Sequence, residues 1–140
     1  MGVEFTKLFF FNISQGFIQN YLGILVNTTE FASLNSIFLS RLTQLQAFIE
    51  EDPSDPFNHY ALAMELTRTD KGAGITKFRE VMDNFPSYQP TYYILCKLLS
   101  ESGLSKEALV VATRGLSLAT EKGDKKAWSE LNALREEIEW

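Results

Sequence analysis

The sequence predicts an all-α fold built from stacked helix-turn-helix units, and three observations carry that prediction. Apolar residues recur at steps of three and four along nearly all of residues 30–140. No segment alternates apolar and polar residues as a half-buried strand does. Laid over itself at an offset of 33 residues, the chain matches Pro53 with Pro86, His59 with Tyr92, Leu62 with Leu95, Ala63 with Cys96 and Leu66 with Leu99. The 140 residues suffice for one domain with a real core, since 45% are hydrophobic and 13% aromatic.

Residues 1–29 differ from the rest. They carry Phe5, Phe9, Phe10, Phe11 and Phe17, and Glu4 and Lys7 are their only charges before Glu30. Asn12, Ser14, Gln15, Gln19, Asn20 and Asn27 interrupt the apolar run, which argues against a membrane span. Lys7 alone and the lack of a small-residue cleavage site argue against a signal peptide. Phe10, Ile13, Phe17, Tyr21 and Ile24 repeat at helical spacing, so an added amphipathic helix is the leading reading. Two others stay open: a membrane-associating leader, and a stretch read from upstream of the natural start.

The remaining elements follow in order. Phe31, Leu34, Phe38, Leu42, Leu45 and Ile49 line one long helix over about 30–51, with Thr29 as its expected N-cap and "EEDPSDP" as its end. Asp55 caps a helix that takes Pro56 at its first position and runs to about Arg68. After "TDKGAG" a helix runs from about Gly72 to Asn84, and Pro86 and Pro90 bracket the next turn. Thr91–Ser102 is helical, Gly103 stops it, and Ser105 is the expected cap of a helix reaching about Glu121. Gly123 and Asp124 separate that helix from the last, Lys125 to about Glu139. Beyond the "TDKGAG" turn the internal offset becomes 34 and aligns Gly74 with Ala108, Phe78 with Ala112 and Val81 with Gly115. Small residues at such positions let paired helices approach closely.

These residues resemble the tetratricopeptide repeat family. Its first helix carries a large aromatic, a Leu, a small residue and a second aromatic; its second helix carries small, aromatic and small residues before a proline. Residues 87–120 match best, through Tyr92, Leu95, Cys96, Leu99, Gly103, Ala108 and Gly115. Residues 54–86 match through His59, Leu62, Ala63, Leu66, Gly74, Phe78, Val81 and Pro86, while Trp128 and Leu131 extend the pattern into the last helix. The likeness spans about residues 42–140 and is closest to small stand-alone repeat proteins of bacteria. It implies a right-handed superhelical stack with flanking capping helices over about 30–51 and 125–139. His59 in place of a bulky aromatic, Gly74, and a turn one residue short depart from the pattern. Two full repeats are fewer than the three usually needed, so the flanking helices must close the stack, or a second copy does. Trp140 and the 30–50 helix are the expected contributors to such a homodimer.

Catalytic chemistry finds little to rest on. "KGAG" follows a helix rather than a strand and lacks the Gly-Lys-Ser/Thr ending of a phosphate loop. His59, the only histidine, stands beside Leu62 and Ala63 on a packing face. Cys96, the only cysteine, excludes an internal disulfide and sits at a core position, where a thiol acts as a small hydrophobe. Glu50, Glu51, Asp52 and Asp55 read as a solvated turn with caps rather than a metal loop. A net charge of -5 without a basic block disfavours nucleic acid. No cofactor, metal or enzymatic activity is expected, and the chain reads as cytoplasmic.

Binding has more support. The resemblance implies a concave surface, lined by the first helix of each pair, that takes a peptide segment of a protein partner. Its positions fall on Phe57, Tyr60, Met64, Thr67 and Arg68, then on Tyr93, Lys97, Ser100 and Glu101, and last on Lys126, Ser129 and Ala133. Tyr92 belongs to the packing stripe with Leu95, Cys96 and Leu99, whereas Tyr93, about 100° away, falls on this second stripe. The family members that grip acidic chaperone tails use Lys, Asn and Arg here; Tyr60 and Met64 depart from that, so co-chaperone activity is not expected. Two alternatives are a self-associating protein whose groove is filled by its own N-terminal helix, and a membrane-attached adaptor.

Overall fold

The computed structural model describes residues 29–140, which form six α-helices and, among the described residues, no strand. They are α1 (Thr29–Glu51), α2 (Pro56–Thr67), α3 (Lys71–Asn84), α4 (Pro90–Glu101), α5 (Ser105–Lys122) and α6 (Lys125–Glu139). The expectations for Phe10, Ile13, Phe17, Tyr21 and Ile24 lie outside the described residues. The chain divides within α1 into Met1–Ser40 and a compact unit, Arg41–Trp140.

In that unit α2 packs on α3 and α4 on α5, and the two pairs meet through α3 and α4. α6 packs on both α5 and α4. Phe78, Leu95, Cys96, Leu99, Ala108, Val111, Ala112 and Leu131 form the centre of the core. Two glycines set the closeness of the helices. A Cβ on Gly74 would lie 2.9 Å from Thr67 Cα, and one on Gly115 would lie 2.7 Å from Tyr92 Cβ and 2.8 Å from Leu131 Cδ1. Only a residue without a side chain permits these approaches.

The repeat is visible in hydrogen bonds as well as in packing. Tyr92 Oη donates to Pro86 O at 2.6 Å, and His59 Nε2 contacts Pro53 O at 2.9 Å. Donor and acceptor are both displaced by the same 33 residues. His59 therefore does in the first unit what tyrosine does in the second, tying the first helix to the proline that precedes it. Its ring also lies 5.1 Å from Phe85. Trp128 departs from the expected equivalence and is 43% exposed. In the first two units the matching ring meets Phe85 just past α3 or packs against Gly115 of α5, and no second helix lies over α6 among the described residues. Beyond the buried Leu131 the Trp128 stripe of α6 continues through polar residues, with Arg135 Nη2 donating to Asn132 Oδ1 at 2.9 Å.

Helix ends follow local chemistry. Asp55 accepts from Phe57 N–H at 2.9 Å with Pro56 in the first turn, and Asp124 accepts from Ala127 N–H at 3.0 Å. Gly103 at φ 77° and Gly123 at φ 67° close α4 and α5 in the left-handed region. Several starts differ from expectation. α3 begins one residue before Gly72 because Asp70 takes the N–H of Ala73 at 3.0 Å. Leu104, not Ser105, is the cap residue of α5, since the turn at Gly103 carries Leu104 N–H to Leu99 O at 2.9 Å and leaves Ser105 inside the helix. Thr29, the expected cap of α1, is instead its first helical residue.

Ion pairs join elements across the repeats. Arg79 of α3 donates through Nε and Nη2 to Glu107 of α5 at 2.7 and 2.8 Å. That forked pairing holds the Glu107 carboxyl below its usual range. Near α1, Glu65 of α2 is buried at 4% exposure and meets Arg41 Nε at 3.0 Å and Arg68 Nη1 at 3.4 Å. Asn58 Nδ2 donates to Phe48 O at 3.3 Å.

Candidate partner-binding groove

The first helices α2, α4 and α6 border a groove of about 360 Å³, with Tyr60, Tyr93, Ile94 and Leu131 among its walls. The groove exists because tyrosines recur at the same repeat position: Tyr60 and Tyr93 are 33 residues apart. Neither is a free surface ring. Tyr60 is half-buried and meets Phe78 edge-on at 5.5 Å and Tyr88 at 5.6 Å. Burial first, and then Tyr88, pushes the Tyr60 hydroxyl above its ordinary value. Tyr93 is also half-buried and packs against the core with one face of its helix. Both tyrosines serve the core and the groove together.

The other predicted positions are displayed differently. Phe57 is 59% exposed and Met64 39% exposed, and both lie on the Tyr60 stripe of α2. Arg68 is exposed but engaged with Glu65. Thr67 does not present its hydroxyl outward, since Oγ1 donates to Met64 O at 2.7 Å. On α4, Lys97 is exposed and Ser100 half-buried. Glu101 accepts from Lys71 Nζ at 2.9 Å, and that lysine holds its carboxyl below the usual range. The Lys71–Glu101 pair thus sits at the far end of α4 from the groove's tyrosines. On α6, Lys126 lines the groove, while Ser129 and Ala133 are exposed and lie outside its lining.

Sequence reasoning missed Gln89, Asp124 and Glu130 as groove residues. Asp124 had a visible role as a helix cap, which concealed its second position at the groove. Gln89 precedes Pro90 in what reads as a turn, so no helical stripe pointed to it. Glu130 follows Lys126 by one turn and could have been found from that spacing.

Other candidate chemistry is occupied by structure. The Cys96 thiol is fully buried, donates to Ala108 O at 3.4 Å, and is pushed up to about 11 by desolvation, far from a reactive thiolate. Asp52 accepts from both the hydroxyl and the N–H of Ser54, which lower its pKa. Among the described residues no three His, Cys, Asp or Glu side chains gather as a metal site, and no helix is long and apolar enough to cross a membrane.

Several solved structures resemble the chain, among them the following two. The solution NMR structure of a tetratricopeptide repeat domain protein from Salinibacter ruber shares 35% identity over 63% of this chain and 90% of that one, with a TM-score of 0.59. A crystal structure of a tetratricopeptide repeat domain protein from the same organism shares 33% identity over 61% of this chain and 97% of that one, with a TM-score of 0.57. No protein-family model and no curated protein matches the chain.

Proposed function

The chain belongs to the tetratricopeptide repeat family, and from that membership we propose that it is a non-enzymatic interaction module whose groove binds a peptide segment of a partner protein. Folds of this family serve in general as protein-interaction modules. The observation that carries the narrower reading is the groove itself. Tyr60 and Tyr93 wall it, and the exposed Phe57 and Met64 lie one turn to either side of Tyr60 on the same stripe of α2. Aromatic and Met side chains give large contact area at modest entropic cost, and so anchor partners well. Arg68, Lys97 and Glu101 form the polar margin of the same surface.

The test uses the exposed anchors, because Tyr60→Ala would also remove packing on Phe78. A Phe57→Ser/Met64→Ser double variant should keep the helical circular dichroism of the wild type and lose capture of the partner. Undiminished capture would sink the proposal.

A homodimer is a second reading, favoured by Phe48 on α1 at 51% exposure and by the fully exposed Trp140. On this reading, light scattering gives twice the chain mass for the wild type and a smaller mass for Phe48→Ser. A monomer at every concentration removes it. A bacterial, cytoplasmic setting completes the proposal; the Salinibacter ruber neighbours and the free Cys96 accord with it. Fractionation of the native cells checks that setting, and recovery with membranes contradicts it.

A further inference from the structure

Resting on the groove reading above, we infer that the end of the groove between α4 and α6 receives an arginine side chain of the partner peptide. Two helix N-termini border this place, and by themselves they would draw an anion. Several of their donors are already engaged. Pro90 has no N–H; the Thr91 and Tyr92 N–H groups go to Tyr88 O at 3.3 Å and Gln89 O at 3.2 Å. The Ala127 N–H goes to the Asp124 carboxylate at 3.0 Å.

What remains toward the groove is acceptor-rich. Gln89 spends Nε2 on Gly115 O at 3.3 Å, which fixes the orientation of the amide, because a carbonyl can face only the NH2 end. Gln89 Oε1 is left enclosed and without a partner among the described residues, an unpaired acceptor on a residue that lines the groove. Two carboxylates, Asp124 and Glu130, stand against one ammonium, Lys126, which lies 3.9 Å from Glu130. The lining is therefore negative in sum, as is the whole chain at -5.

Arginine fits this arrangement better than other cations. Its aliphatic stem matches Ile94 and Leu131, and its planar guanidinium stacks on a tyrosine face while offering five donors to carboxylates. A lysine ammonium carries the charge but neither the plane nor the fork.

The test is an NMR titration of the 15N-labelled full-length chain with N-acetyl methylamides of arginine, citrulline, lysine and glutamate. The arginine probe should shift the amides of Tyr93, Ile94, Ala127 and Leu131 saturably. Citrulline, neutral and nearly isosteric, should bind roughly fivefold more weakly. Asp124→Asn/Glu130→Gln, which keeps a good N-cap at position 124, should weaken the arginine probe by a similar factor and flatten its salt dependence. Equal binding of citrulline, equal binding of lysine, tighter binding of glutamate, or no shift at these amides overturns the inference. If partner capture still depends on Phe57 and Met64, such a result removes only the arginine preference; if that dependence fails too, the groove reading falls with it.

Discussion

At the scale of single residues, the chain is governed by positions where size decides. Gly74 reads in the sequence as a weak point, because glycine is a poor helix former. The structure gives it a purpose: α3 crosses Thr67 so closely that a Cβ would meet backbone as well as side chain. Gly74→Ala should therefore lower the urea midpoint, at a cost of roughly 1–3 kcal/mol for overpacking, despite a helix-propensity gain of about 1 kcal/mol. Gly72→Ala is the control; its nearest neighbour is the Asp70 carboxylate at 3.2 Å, and it should be neutral or stabilising. Cys96 offers a second test. Its thiol is raised in the fold to about 11 from the ordinary 9.0. The folded state thus holds the proton after the unfolded chain has lost it, and stability falls as pH rises from 9.0 toward 11. Between pH 8 and 10.5 the wild type should lose on the order of 2 kcal/mol that Cys96→Ala keeps. Parallel pH profiles of the two proteins would contradict this assignment. Burial of Cys96 was legible from its stripe, whereas burial of Glu65 was not. A carboxylate reads as exposed unless its two arginines, one of them on another helix, are known.

At the scale of elements, helix spacing alone revealed α2 to α6 to within a residue or two, because each carries a stripe at steps of three and four. The ends were less legible where two residues compete to cap, as Asp70 with Gly72 and Leu104 with Ser105 show. The internal repeat went further, since it predicted equivalent positions that prove to make equivalent hydrogen bonds. That symmetry has a measurable consequence. Tyr92→Phe should cost about 1 kcal/mol by removing the bond to Pro86 O, and His59→Tyr should at least preserve stability by placing a hydroxyl near Pro53 O. Thermal melts decide it; a costless Tyr92→Phe would mean the shared bond is geometric coincidence. The equivalence ended at Trp128, which stays 43% exposed because no second helix lies over α6 among the described residues.

At the scale of the molecule, the repeats produce one groove from three first helices, and the candidate site was legible to the extent that it is periodic. Tyr60, Tyr93 and Lys126, which the resemblance put on the inner surface, do line the groove. Their half-burial, and the contributions of Gln89, Asp124 and Glu130, come from the curvature that brings α6 beside α4, which no local pattern encodes. We propose that α6 also caps the two repeats, with Asn132 and Arg135 standing where the preceding unit has Cys96 and Leu99 and putting polar groups beside the buried Leu131. The central claim is that partners meet the first helices and not the second. The most direct measurement replaces either Phe57 or Met64, or instead Val110 on α5, with the photo-crosslinker p-benzoylphenylalanine and irradiates cells producing each variant. Val110 is 53% exposed, close to the 59% of Phe57, so accessibility does not separate the sites. The groove reading predicts a discrete adduct with another protein from positions 57 and 64 and none from 110. Adducts from 110 alone, equal yields from all three, or adducts only at twice the chain's own mass would contradict it.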